Sequence, residues 1–305
     1  MPIRAGRRGS AGSAPIVTRL LPCWLALACL LLAGCHPDLF AAARQSRQQA
    51  ALVEMFPDPE AQALAIAAEH GDAREVARLM REEGVDPDRI FSSPKGRIPL
   101  LAWPIITGNP DGLRAMLEAG ADPNAKTRYP SDLGERYYPN AMVWAAQQPD
   151  PVYLRILLDH GGDPDTRNAN DEALLFHAYI NGNQWRNVQL LVERGADVNA
   201  NIFAGSTILD TYASMGGFEM TYWLLEHGAD PTLIYRYGQP ENRPDSHAIE
   251  AIFWHPGSPE QPEWQRQCQQ RLLAGGQVRP PMPEHYRLMR ERLGVPSSEQ
   301  DVPLL

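Results

Sequence analysis

RGADVN, Arg194–Asn199, is one of five short stretches built to one pattern. The others are EGVDPD (Glu83–Asp88), AGADPN (Ala119–Asn124), HGGDPD (His160–Asp165) and HGADPT (His227–Thr232). Their glycines, Gly84, Gly120, Gly161, Gly195 and Gly228, stand 36, 41, 34 and 33 residues apart. A pattern that returns five times at a near-constant interval is an internal repeat. A unit of this length buries its apolar face only against its neighbours, so the chain is expected to stack.

Apolar residues precede each glycine by seven, four and three positions: Leu113/Met116/Leu117, Leu154/Leu157/Leu158 and Val188/Leu191/Val192, with Thr221/Leu224/Leu225 in the last copy. The first copy, Val76/Leu79/Met80, needs one extra residue. Spacings of three and four place each set on one helical face. The glycine then supplies a left-handed C-cap, and the Asp and Pro after it lead the chain into a turn. Asp86, Asp122, Asp163, Asp197 and Asp230 recur once per repeat and are therefore read as turn residues. Upstream of each helix lies a shorter, small-residue-rich segment: ALAIAAEHGD from Ala63, PLLAWPIITGN from Pro99, AMVWAAQQPD from Ala141, ALLFHAYINGN from Ala173 and TILDTYASMGG from Thr207. Pro104 inside the second is expected to end or kink its helix.

A period near 33 with this motif resembles the ankyrin repeat. The Thr-Pro-Leu-His-x-Ala-Ala first helix of that family is matched only in part, best at Pro99-Leu100, Ala67-Ala68 and Ala145-Ala146. The resemblance implies an all-α solenoid of helix-turn-helix units with capping helices. Its expected organisation is a signal peptide over 1–34, a lipidated N-terminus and capping helix over 35–57, five repeats over 58–246, a degenerate capping repeat over 247–276, and a C-terminal helix and tail over 277–305. In the capping repeat, WQRQCQQRLLAGG (Trp264–Gly276) is read as an outer helix with the polar face that a terminal unit needs, and Pro296 onward as a frayed tail.

The N-terminus carries a different message. Arg4, Arg7, Arg8 and Arg19, with no acid among them, precede the apolar run LLPCWLALACLLLA, Leu20–Ala33. This is the layout of a secretory signal peptide, and a run of about 14 residues falls short of the roughly 20 that cross a bilayer as a helix. The run ends in Leu32-Ala33-Gly34-Cys35, which resembles a bacterial lipobox, cut between Gly34 and Cys35 with the Cys35 thiol then carrying lipid such as palmitate. An ordinary signal peptide cut nearby, or a mis-assigned start on a cytoplasmic protein, is the alternative. His36 stands where enteric inner-membrane lipoproteins carry Asp, so the resemblance implies an outer-membrane lipoprotein facing the periplasm.

The chain has 305 residues, 44% hydrophobic, with 28 Lys+Arg against 37 Asp+Glu and a net charge of −9. Enough apolar material is present for a core, which excludes disorder throughout. The acidic balance argues against a nucleic-acid binder. Removal of residues 1–34 takes away four arginines and leaves 24 bases against 37 acids, a net charge of −13 over 271 residues. Such a surface suits a basic partner and makes a lipid anchor more necessary for holding the protein at a membrane.

Catalytic chemistry finds little footing. The eight histidines are scattered, with no His-x-x-x-His or Cys-x-x-Cys pair, and neither a phosphate loop nor a Gly-x-Ser-x-Gly elbow is present. His160 and His227 sit at the end of outer helices, where a cation is favoured. Cys268, the remaining thiol after processing, reads as a small buried hydrophobe. Neither enzyme activity nor a cofactor nor a metal site is expected.

Two irregular stretches between repeats are therefore the candidates for partner binding. Ala125–Asn140 contains Arg128, Tyr129, Arg136, Tyr137 and Tyr138, and Leu233–Ser246 contains Tyr235, Arg236 and Tyr237. Tyr and Arg bring large area with a polar tip and are enriched at interface hot spots. Equally, the tyrosines can cover the inner helices and the arginines pair with local acids. Trp103 and Trp144 read as core or groove wall. By family resemblance the surface binds proteins, as an immunity protein neutralising a secreted toxin such as a type VI lipase effector, or alternatively as an envelope assembly scaffold recruiting a partner to the outer membrane.

Overall fold

The computed structural model describes residues 50–93, 96–126, 128–129, 136–137, 139–168, 170–257 and 262–305; side chains are described for all of these except 90, 92, 93, 96, 97, 128, 129, 136 and 137. The lipobox at Gly34 and Cys35, residues 35–49 of the expected capping segment (35–57) and Tyr138 lie outside the described residues, while 50–55 are helical. Met1–Ala51 and Leu52–Leu305 are separate units, and the repeats lie in the second.

Within that unit, helices come in consecutive pairs, an inner helix followed by an outer one, the inner being the shorter in every pair but the first. They are α1 (Pro59–His70) with α2 (Ala73–Arg81), α3 (Trp103–Thr107) with α4 (Pro110–Ala119), and α5 (Ala141–Ala146) with α6 (Val152–Asp159). Next come α7 (Leu174–Ile180) with α8 (Trp185–Glu193), α9 (Ile208–Ser214) with α10 (Phe218–Glu226), and α11 (His247–Trp254) with α12 (Pro262–Ala274). A final helix, α13 (Glu284–Arg292), follows. Inner helices pack on inner helices (α1 on α3, α5 on α7, α9 on α11) and outer on outer (α2 on α4, α4 on α6, α10 on α12).

The spacing read before each motif glycine explains this packing. Val76, Leu79, Leu113, Met116, Leu154, Leu157, Val188, Leu191 and Leu224 are all at most 2% exposed. Burying one such side chain is worth roughly 1.5–3 kcal/mol, which makes the outer-helix face the main adhesive of the stack. Thr221, the polar member of the set, is buried too and satisfies its hydroxyl on the Gly217 carbonyl at 2.9 Å. Close approach is enforced at one point: a Cβ on Gly112 of α4 would stand 1.8 Å from the Ala68 carbonyl oxygen.

All five motif glycines have positive φ, from 72° to 117°. After each, the motif aspartate uses Oδ1 to accept the backbone N–H two residues on, at 2.8–2.9 Å in every copy. The last motif residue then reaches the next repeat. Asp88 accepts the Asp122 N–H (3.1 Å), Asn124 that of Asp163 (2.7 Å), Asp165 that of Asp197 (2.8 Å) and Asn199 that of Asp230 (2.7 Å). The two asparagines also donate, to the Gly161 and Gly228 carbonyls. Where the position is Asp, that second bond is lost. At Asp88, burial pushes the carboxyl up to about 6.

Three expectations are corrected. Pro104 does not end its helix; it lies at the start of α3, after a 3₁₀ turn at Leu100–Ala102, where its missing N–H has no helical acceptor to lose. The polar face of α12 is partly turned inward: Gln265 and Gln269 are buried and donate to the Ile252 carbonyl, Gln265 also to that of His255. They stand in for the donors that a further repeat would bring to the end of α11. The C-terminal segment is not frayed. Val302 is buried, its carbonyl accepts from Arg279 (2.8 Å), and the Leu305 N–H donates to Gln269 Oε1 (2.9 Å). The Arg279 guanidinium lies 3.7 Å from the Trp254 ring, and Arg290 donates to the Trp254 and Pro296 carbonyls. Burial holds both arginines below their usual range.

Cys268 is fully buried on α12, with Sγ 3.5 Å from the Phe218 carbonyl, and burial pushes its thiol up to about 12. His160 and His227 each place Nδ1 2.8 Å from the carbonyl four residues back, Ile156 and Trp223, at the last turn of an outer helix, where the same carbonyl also accepts the histidine's own backbone N–H (3.2 and 3.1 Å).

Candidate partner-binding surface

Between outer and inner helices the chain leaves the stack as a finger, and the fingers differ from one another. The first is a hairpin of β1 (Ile90–Ser93) and β2 (Gly96–Pro99), with Phe91 opposite Ile98 and both buried. The second pairs β3 (Arg128–Tyr129) with β4 (Arg136–Tyr137), Arg128 opposite Tyr137 and Tyr129 opposite Arg136. Four of the five candidate residues in this finger thus share one short hairpin. The third and fourth fingers have a single bridge each, Arg167 to Ala173 and Phe203 to Ser206. The fifth is a longer hairpin, β5 (Leu233–Arg236) with β6 (Gln239–Asn242), in which Tyr235 faces Pro240 and Arg236 faces Gln239.

This fifth finger is tied down at its base and free at its tip. Tyr235 donates its hydroxyl to the Asn199 carbonyl (2.7 Å) and its N–H to the Gly205 carbonyl (3.3 Å). Burial, and then the nearby Asp197 carboxylate, raise its phenol above the usual range. Asn242 donates to Asp230 (2.8 Å), and Arg243 holds Asp245 through two bonds of 2.9 and 2.8 Å. Arg236 is exposed and pairs with Glu241 at 3.9 Å. Tyr237 is 104% exposed at φ +50°, followed by Gly238 at φ +78°. The three residues grouped by sequence therefore separate: Tyr235 is a structural anchor, while Arg236 and Tyr237 face solvent.

The inner helices carry further features. Trp103 is buried and donates Nε1–H to Glu69 at 3.2 Å, as groove wall. Trp144 is half-buried, and its shielded Nε1 makes no hydrogen bond among the described residues. One repeat along, His177 lies between Gln147 (Nδ1 to Nε2, 3.3 Å) and Glu172 (Nε2 to Oε2, 3.5 Å); burial lowers its basicity and Glu172 partly restores it. Phe176 stacks on Phe203 of the fourth finger at 4.9 Å, and Phe203 is 51% exposed. Sequence reading missed this aromatic step, because its two rings come from a helix and a finger about thirty residues apart. At the opposite ends of the inner helices, Tyr179, Ile180, Tyr212, Met215 and Met220 line an open apolar hollow of about 420 Å³. Among the described residues no group of three His, Cys, Asp or Glu side chains is placed to hold a metal.

Comparison with known proteins agrees with this architecture. Residues 141–234 match the family model for ankyrin repeats, in three copies. Among solved structures, the chain is similar to the ankyrin repeat domain of Bcl-3, a unique member of the IkappaB protein family. The two are 26% identical, the match covers 71% of this chain and 86% of that one, and the TM-score is 0.50. It is also similar to EF0377, an ankyrin repeat protein, at 21% identity over 58% of this chain and 87% of that one, with a TM-score of 0.44. No curated protein matches the chain. The class is thus an all-α ankyrin-repeat solenoid. The chain carries ankyrin repeats and, as repeats of this kind do, serves protein–protein interaction.

Proposed function

We propose that this protein is a non-catalytic, lipid-anchored binding module on the periplasmic face of the outer membrane, and that it neutralises a secreted toxin such as a type VI lipase effector. The observation that carries the binding reading is the fifth finger, a braced hairpin that offers Arg236 and Tyr237 to solvent. An acidic chain, net −9 as written and −13 from Cys35 onward, favours a basic toxin as partner. The anchor rests on the arginine-rich start, the short apolar run and Leu32-Ala33-Gly34-Cys35. Several acyl chains hold a protein firmly where one does so only marginally.

Deletion of the gene is expected to sensitise cells to a toxin encoded beside it, and the purified pair to copurify. Envelope defects in cells that lack any such toxin would instead establish an assembly scaffold. Cys35→Ala is expected to abolish fatty-acid labelling and release the protein from membranes; labelling that persists would remove the lipid anchor from the proposal.

A further inference from the structure

We infer that the fifth finger is a wedge: Tyr237 enters an apolar-walled cleft of a folded, basic protein, instead of the solenoid clasping an extended peptide along its inner helices. This rests on the protein-binding reading above and adds the shape of the partner.

The tip combines two independent costs. Tyr237 is 104% exposed, so the apolar surface of its ring is left in water. It also occupies φ +50° at the first central position of a two-residue hairpin turn, where Asn or Gly fits with less strain. The neighbouring finger makes a similar turn with Ala204 at φ +50° and Gly205 at φ +91°, so the fold accepts a small residue there. An aromatic ring at this position is not required to form the turn, and strain kept at a surface tip points to use.

The shape of the user follows from the geometry. A ring that protrudes completely is enclosed only by a concavity, because a flat surface covers one side of it and a single extended strand has no pocket. Enclosure also needs a stiff support. Tyr235 bound to Asn199 and Gly205, and Asn242 to Asp230, hold the hairpin base before any partner arrives, which spares ordering entropy on binding. The charge of the occupant follows from the surroundings. Beside this finger Asp197 is exposed near Tyr235 and Glu241 is exposed against Arg236 at 3.9 Å, and with a chain of net charge −9 these carboxylates suit a cleft with a basic rim. A hairpin seated in a cleft also blocks it, which is how binding becomes neutralisation.

The test uses the full-length protein in its own cells. The photocrosslinker p-benzoylphenylalanine is placed at position 237 and, in parallel, at position 144 on an inner helix. The expected result is one adduct from 237 whose sites map by mass spectrometry to the walls of a cavity in a folded protein of basic isoelectric point. Tyr237→Asn is expected to raise the unfolding midpoint by about 2 °C through relief of turn strain, while reducing recovery of that same protein at least tenfold. Ala204→Asn should give the thermal gain without the loss of recovery. Adducts from 144 alone, mapping to an extended segment, would overturn the wedge and leave protein binding intact, as would unchanged recovery with Tyr237→Asn. Absence of adducts from both positions, with nothing recovered by the unaltered protein, would sink the binding reading as well.

Discussion

Asp197 and Tyr237 represent two parts of the repeat that follow opposite rules. Asp197 accepts the Asn199 N–H at 2.9 Å, within 0.1 Å of the same bond in the other four copies. Tyr237 follows no shared rule among the described finger side chains: one finger buries Phe91, another stacks Phe203, and this one holds a ring in open water. The turns are uniform because each must meet the next copy of itself. The fingers leave the stack, where self-complementarity no longer applies and selection can act on something outside the chain.

That contrast can be broken by substitution, with the largest losses expected in the uniform part. Gly112→Ala places a methyl on the Ala68 carbonyl and should cost about 3 kcal/mol by denaturant unfolding; a loss under about 1 kcal/mol would mean that α1 and α4 separate easily. Asn199→Ala removes both bonds to the next motif, to Asp230 N–H and the Gly228 carbonyl, for about 2 kcal/mol.

The uniform part also contains a place to improve. Asp88→Asn should stabilise by about 1 kcal/mol at pH 7, since burial already disfavours the charge there. The folded state binds the Asp88 proton more tightly than the unfolded chain, so the unaltered protein recovers this stability as pH falls through about 6. The advantage of the variant should therefore shrink by pH 5, and an advantage that grows on acidification would refute the assignment. Smallest of all, Arg236→Ala should change stability by less than about 0.5 kcal/mol, its 3.9 Å pair being exposed; a larger loss would place this finger with the structural parts.

The same division governs what the sequence reveals. Helix pairs and turns are legible because they follow from periodicity and from Gly, Asp and Pro at fixed offsets, all local signals. Pro104 misleads because one residue decides whether it interrupts a helix or begins one. The inward turn of Gln265 and Gln269 and the docking of Val302 are hidden because their partners, the Ile252 carbonyl of α11 and the Arg279 guanidinium, are distant in sequence. Tyr, Arg, Tyr at 235–237 reads as one patch, yet the bond to Asn199 gives Tyr235 a different task, and Tyr237 leaves the strand for the turn. His177 with Glu172, and Phe176 with Phe203, carry no motif at all.

Cys268 gives the capping repeat a built-in clock. Its thiol is sealed and far from the thiolate form at neutral pH, so alkylation or disulfide exchange with neighbouring proteins has to wait for α12 to lift. The rate at which this one site becomes labelled, followed by peptide mapping, therefore reads how often the end of the stack opens. In an oxidising compartment the same delay guards the protein against mispairing for as long as the last repeat stays closed.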